Sequence, residues 1–145
     1  PVVWVQHADD ELPKDSPQWQ WVPELLPLPS EPLITKQFNS AFEQTPLDSV
    51  LQAIDATHIV LAGAATNWCI RATAYGALDR GYDLTLVGDA HTTGTMRFDD
   101  GTVIEAADII KELNIAITWL AYPDRKNGAL LVEDLDFALP GPPAA

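Results

Sequence analysis

Apolar residues in this chain recur in two rhythms, and their alternation predicts the fold. The segments "PVVWVQH" (1–7), "PLITK" (32–36), "THIVLAG" (57–63), "YDLTLVGDA" (82–90) and "IAITWLAY" (115–122) are short and rich in β-branched residues, the pattern of buried strands. Between them "LDSVLQAI" (47–54) spaces Leu47, Val50, Leu51 and Ile54 at helical intervals. Residues 67–80 read as a helix that stops at Gly81. "VIEAADIIKEL" (103–113) places Val103, Ala106, Ala107, Ile110 and Leu113 on one helical face. Residues 9–32, rich in Pro, Asp and Trp, read as a long surface excursion, and residues 123–145 as a partly disordered tail. Strands alternating with helices predict an α/β fold, a doubly wound, three-layer parallel sheet.

Such a sheet binds ligands outside the carboxyl ends of its strands. The residues that follow the strands here are His7, Lys36, the turn "GAATNWC" and Asp89, so an imidazole, a cation, a thiol and a carboxylate are expected on one edge. Cys69, the single cysteine, falls in the first turn of a helix that Thr66 or Asn67 can cap. There the helix dipole and free backbone N–H groups favour thiolate over thiol and can receive an oxyanion, which makes Cys69 a candidate nucleophile. The competing reading is a small buried hydrophobe. Lys36 reads either as a solvated lysine or as a functional cation, His7 as a solvated loop residue, and Asp89 as a partner for backbone amides. The small residues Ala72, Ala74, Gly76 and Ala77 read as close packing of helix on sheet. "GAAT" lacks the glycine pattern of a dinucleotide or P-loop site.

Composition narrows the classes of function. The 145 residues carry a formal net charge of −13, which argues against nucleic acid or an anionic membrane as partner. One cysteine excludes an internal disulfide and fits a cytoplasmic setting, and no apolar run is long enough for a membrane helix.

"GAATNWCIRATAYGALDRGYDLTLVGDAHTT" resembles the signature of the isochorismatase-like cysteine hydrolases: a glycine turn, small residues, Thr, the nucleophilic Cys, then an R-x-T-A-x-x-A-L-x-R-G-Y helix and a strand ending in Asp-Ala. "PLITKQFNSAFEQTPL" resembles the family's lysine segment, and "VVWVQHADDE" and "QWQWVPEL" its second strand and the loop after it. The resemblance implies that Cys69 is the nucleophile, that Lys36 is the second triad member, and that the backbone N–H groups of Ala65 and Cys69 form an oxyanion hole. It also implies a non-proline cis peptide joining Ala64 to Ala65. The family's third triad member is an Asp at the end of its first strand, and this chain opens at what would be the second. Residues 1–122 are therefore expected to form an isochorismatase-like hydrolase domain without its first strand and helix, and 123–145 a tail. An additional strand and helix ahead of Pro1, with an Asp at the strand's carboxyl end, would complete the site.

Two functions remain open on this reading. One is a cysteine hydrolase cleaving an amide-type C–N bond of a small molecule through an acyl-enzyme; the other is a catalytically disabled scaffold binding a small ligand or partner subunit. "HADDELPKDSP" offers no second His for a zinc site, so no metal and no cofactor are expected. Phe42 and Trp68 are expected to line an apolar substrate pocket. The Trp-rich loop 17–22 and Trp68 are expected to present apolar surface, and with the resemblance they imply a homo-oligomer.

Overall fold

A computed structural model describes residues 1–137. The parallel strands fall into two groups. Strand β1 (Trp4–His7) pairs in parallel with β2 (Leu33–Lys36), in a register that sets His7 opposite Lys36. Strand β4 (Asp83–Thr92) lies between β3 (His58–Ala64) and β7 (Asn127–Leu130), parallel to both. A short antiparallel ribbon joins β5 (Met96–Arg97) to β6 (Val103–Ile104). Among the described residues β1 and β3 do not pair with one another, so each has a hydrogen-bonded strand on one edge only.

The helices are α1 (Leu47–Ala53), α2 (Arg71–Asp79) and α3 (Ala106–Trp119). Helix α2 stops as expected at Gly81, whose φ of 95° is open to glycine but strained for other residues. The amides of Gly81 and Tyr82 then bond back to Leu78 and Ala77, closing the helix end. The small residues of α2 do pack closely. Ala74 and Ala77 are fully buried, and a Cβ on Gly76 would stand 3.2 Å from both Phe42 and Ser40.

The C-terminal third departs from expectation. Residues 115–122 read as a strand because Ile115, Ile117 and Thr118 are β-branched, yet α3 continues to Trp119. Ile109, Leu113 and Ile117, spaced by four, are its buried face, and this packing overrides the local β preference. The strand that flanks β4 is β7, inside the segment expected to be a tail; residues 138–145 of that segment lie outside the described residues.

One core holds the parallel strands, α1, α2 and α3 together. It includes Ile34, Phe42, Leu51, Leu78, Tyr82, Leu84, Leu86, Leu113 and Ile117. Each fully buried leucine contributes on the order of 2 kcal/mol. The Trp-rich loop covers β1 instead of standing free. Trp19 is buried, and Trp21 meets Trp4 edge-on at 5.2 Å.

Candidate active site

Cys69 lies where β3 gives way to α2, in a π-helical turn spanning Thr66–Ile70. The turn begins after the Ala64–Ala65 peptide, which is cis as the resemblance implies. The amides of Trp68 and Ile70 both donate to the carbonyl of Ala65, at 3.1 Å each. Neither Thr66 nor Asn67 caps the helix, contrary to expectation. Their side chains are committed elsewhere: Thr66 to His91, and Asn67 to Thr93 and Met96.

Lys36 reaches this turn from the end of β2. It is only 6% exposed, so it is no solvated surface lysine. Its Nζ donates to Cys69 Sγ at 3.2 Å and to the Phe38 carbonyl at 2.8 Å, and it faces His7 Nδ1 at 3.4 Å. A buried ammonium needs compensation for its lost hydration, and these contacts supply part of it.

His7 is the last residue of β1, not a free loop residue. Its Nε2 lies 2.7 Å from Asp9 Oδ2, and the Trp19 indole donates to its carbonyl at 2.9 Å. The hydrogen bond from His7, followed by that from the Leu12 amide, holds the Asp9 carboxyl below its usual range. Asp89 accepts from the Val132 amide at 2.9 Å, the backbone role expected for it.

The two aromatic candidates separate. Trp68 is 54% exposed beside Cys69, free to meet a ligand. Phe42 is a core residue instead: it stacks on Tyr82, with the Arg80 guanidinium 4.5 Å above its ring. Its aromatic bulk is used to seat α2 at Gly76.

Two supports escaped the sequence reading. Thr73 Oγ1, one helical turn past Cys69, accepts from the Ala41 amide at 2.9 Å and so ties the lysine segment to the helix that follows Cys69. The spacing from Cys69 is the signal that could have found it. Behind the turn, Thr66 Oγ1 lies 2.9 Å from His91 Nδ1, and His91 Nε2 lies 2.8 Å from Asn114 Oδ1. Asn114 Nδ2 donates to the Gly88 carbonyl at 3.0 Å, which leaves its oxygen to accept from His91. With Nε2 donating to that oxygen, Nδ1 is left to the Thr66 hydroxyl. This buried chain anchors the turn to β4 and α3.

The isochorismatase domain model matches residues 1–120. The chain belongs to the isochorismatase family. Ureidoacrylate amidohydrolase RutB of Cronobacter sakazakii is 44% identical over 62 residues, covering 43% of this chain and 27% of RutB. Maleamate amidohydrolase of Pseudomonas putida is 33% identical over 96 residues, covering 62% of this chain and 45% of that enzyme. This chain thus spans less than half the length of either amidohydrolase. An isochorismatase structure from Pseudomonas putida KT2440 superposes with a TM-score of 0.79 at 29% identity, covering 94% of this chain and 69% of that one. The α/β fold with parallel strands is shared with that structure.

Proposed function

We propose that this domain is the nucleophile-bearing part of a cysteine amidohydrolase acting on a small molecule. The observation that carries the reading is Lys36 Nζ at 3.2 Å from Cys69 Sγ, made by a buried cation meeting the one thiol of the chain. The amidohydrolase names of the two relatives support the reaction class. The Cys69 thiolate attacks the carbonyl carbon, and Ala65 N–H and Cys69 N–H receive the developing oxyanion. The thiol's proton, taken up by the third triad member, passes to the nitrogen as the C–N bond breaks, and the amine leaves with it. Water then attacks the thioester, the C–S bond breaks, and a carboxylic acid departs from the restored thiol. Exposed Trp68 lines the substrate's approach.

The third triad member in this reading is an Asp on a further strand seated between β1 and β3. The support is that, among the described residues, β1 and β3 each carry a strand partner on one edge only. The same reading includes a homo-oligomer. Exposed Ile115, Trp119, Leu131 and Val132 support it, as large apolar groups that a second copy can cover.

The test is direct. The native protein, its start read by N-terminal sequencing, is incubated with ureidoacrylate, maleamate and other small amides. Release of amine or ammonia is followed, and quenched samples are weighed intact. An acyl adduct on Cys69 that is absent from Cys69→Ser supports the reading. Substrate binding without turnover or adduct would favour a scaffold that binds a ligand in the same place.

A further inference from the structure

His7 and Asp9 form a pair that the established family membership leaves without a role. The register of β1 on β2 sets His7 against Lys36, and the Ala8 amide, donating to the Lys36 carbonyl at 2.9 Å, extends that pairing past the strand end. The Trp19 indole holds the His7 carbonyl from the other side. The backbone of His7 is therefore fixed where its ring reaches the ammonium.

Proton accounting then sets the ring's state. A lysine ammonium has three donors and no lone pair. Its directions are taken by the Phe38 carbonyl, Cys69 Sγ and His7 Nδ1. Nδ1 must accept, so Nε2 carries the proton and donates to Asp9 Oδ2 at 2.7 Å. Asp9 is itself held, because its Oδ1 accepts from the amides of Glu11 and Leu12 at 2.9 and 2.8 Å. The order Asp9, His7, Lys36, Cys69 runs from a turn outside the strand edge to the thiol.

We propose that His7, fixed by Asp9, is a positioning residue for the Lys36–Cys69 pair. Its Nδ1 lone pair completes the three acceptors that orient the ammonium, and so aims one N–H at the sulfur. This rests on the reading of Cys69 and Lys36 as a reactive pair and adds the group that sets their geometry. The contact at 3.4 Å is the longest of the three, so its removal loosens the ammonium without unseating it.

Alkylation by iodoacetamide measures the thiol without any substrate, and Cys69 is the single site it can report. In the full chain, His7→Leu is expected to slow alkylation at neutral pH on the order of tenfold, by analogy with the loss of an outer hydrogen-bond partner behind a metal ligand. His7→Asn, whose Oδ1 stands in for Nδ1, should restore most of the rate. Asp9→Asn should slow it like His7→Leu, because the amide oxygen stays with the turn and the amide nitrogen donates to Nε2, so the ring's one N–H moves to Nδ1 and faces Lys36. The double variant Asp9→Asn with His7→Leu should be no slower than His7→Leu alone. Parental rates in His7→Leu and Asp9→Asn beside a slow Lys36→Met would overturn the proposal while sparing the reactive pair. A parental rate in Lys36→Met would overturn the pair as well. If His7→Leu does not fold, Asp9→Asn and His7→Asn decide alone: a slow Asp9→Asn with a fast His7→Asn supports the proposal, and any other pattern overturns it.

Discussion

Strands β4 and β1 both end at the candidate site, but they are held in different ways. β4 has a strand on each side, and five consecutive residues from Leu84 to Gly88 are buried. Among the described residues β1 has one strand partner, and all four of its residues are half-buried. The turn that bears Cys69 follows β3, the immediate neighbour of β4, and is anchored through Thr66, His91 and Asn114. The cation comes from the less covered β1–β2 pair and reaches Cys69 through its side chain, with the His7 imidazole behind it. Thr73, bonded to Ala41, is the stitch between the two regions. The comparison teaches that the rigid half, buried and paired on both sides, carries the turn of Cys69. The lighter half carries groups that act through the ends of long side chains.

Cutting the contact between the halves should have the largest effect. Cys69→Ser is expected to abolish amide hydrolysis, and Lys36→Met to lower kcat by on the order of a thousandfold or more, with thermal melts close to the parent. Hydrolysis that survives Lys36→Met would mean that the halves do not cooperate in the chemistry.

Stability should divide the same way. Leu86→Ala, at a fully buried position of β4, is expected to cost about 2–5 kcal/mol in urea unfolding. Val5→Ala, in half-buried β1, should cost about 1 kcal/mol, and amides of β4 should exchange with deuterium more slowly than those of β1. Equal losses at the two positions would erase the distinction drawn here.

The buried chain behind the turn tests the rigid half from within. His91→Ala strips partners from Thr66 and Asn114 and is expected to cost about 1–3 kcal/mol, with amide hydrolysis falling further than Cys69 alkylation. Equal falls in both would place the damage in the thiol itself and not in the turn.

The smallest effect is a slope. Burial pushes the His58 imidazole down, with Asp83 opposing, while its Nε2 lies 2.9 Å from Thr85 Oγ1. The unfolded chain therefore takes up the proton first, and stability falls as pH drops through the ordinary imidazole range near about 6.5. His58→Gln should flatten the dependence of the urea midpoint between about pH 7.5 and 5.5. An unchanged slope would assign it to other groups.

Trp119→Glu offers a separate check on the oligomer. The side chain is 82% exposed, so folding should be untouched while light scattering reports a smaller mass. A monomeric parent at micromolar concentration would sink that proposal.

Much of this protein was legible in its residues because the relevant signals are local. Strand runs rich in β-branched residues placed β1 to β4, and Gly81 marked the end of α2. The order of residues at the strand ends put Cys69, Lys36 and His7 on one edge. Local signals failed where packing decided. Ile115 to Trp119 prefer strand by themselves, but Leu113 and Ile117 bury more surface as the face of a helix. "NGAL" is too short and small to declare itself, and it became β7 because β4 had an edge to pair. Phe42 looked like a pocket wall until Tyr82 and Arg80 closed over it. The side-chain partners of Thr66, Thr73 and His91 lie 25, 32 and 23 residues away, as the contacts to His91, Ala41 and Asn114 show. Sequence alone determined which chemistry reaches the strand edge, because strand order and chain direction set it. Only the tertiary structure decided which of those groups touch, because hydrogen bonds between distant segments depend on register and packing to within a fraction of an ångström.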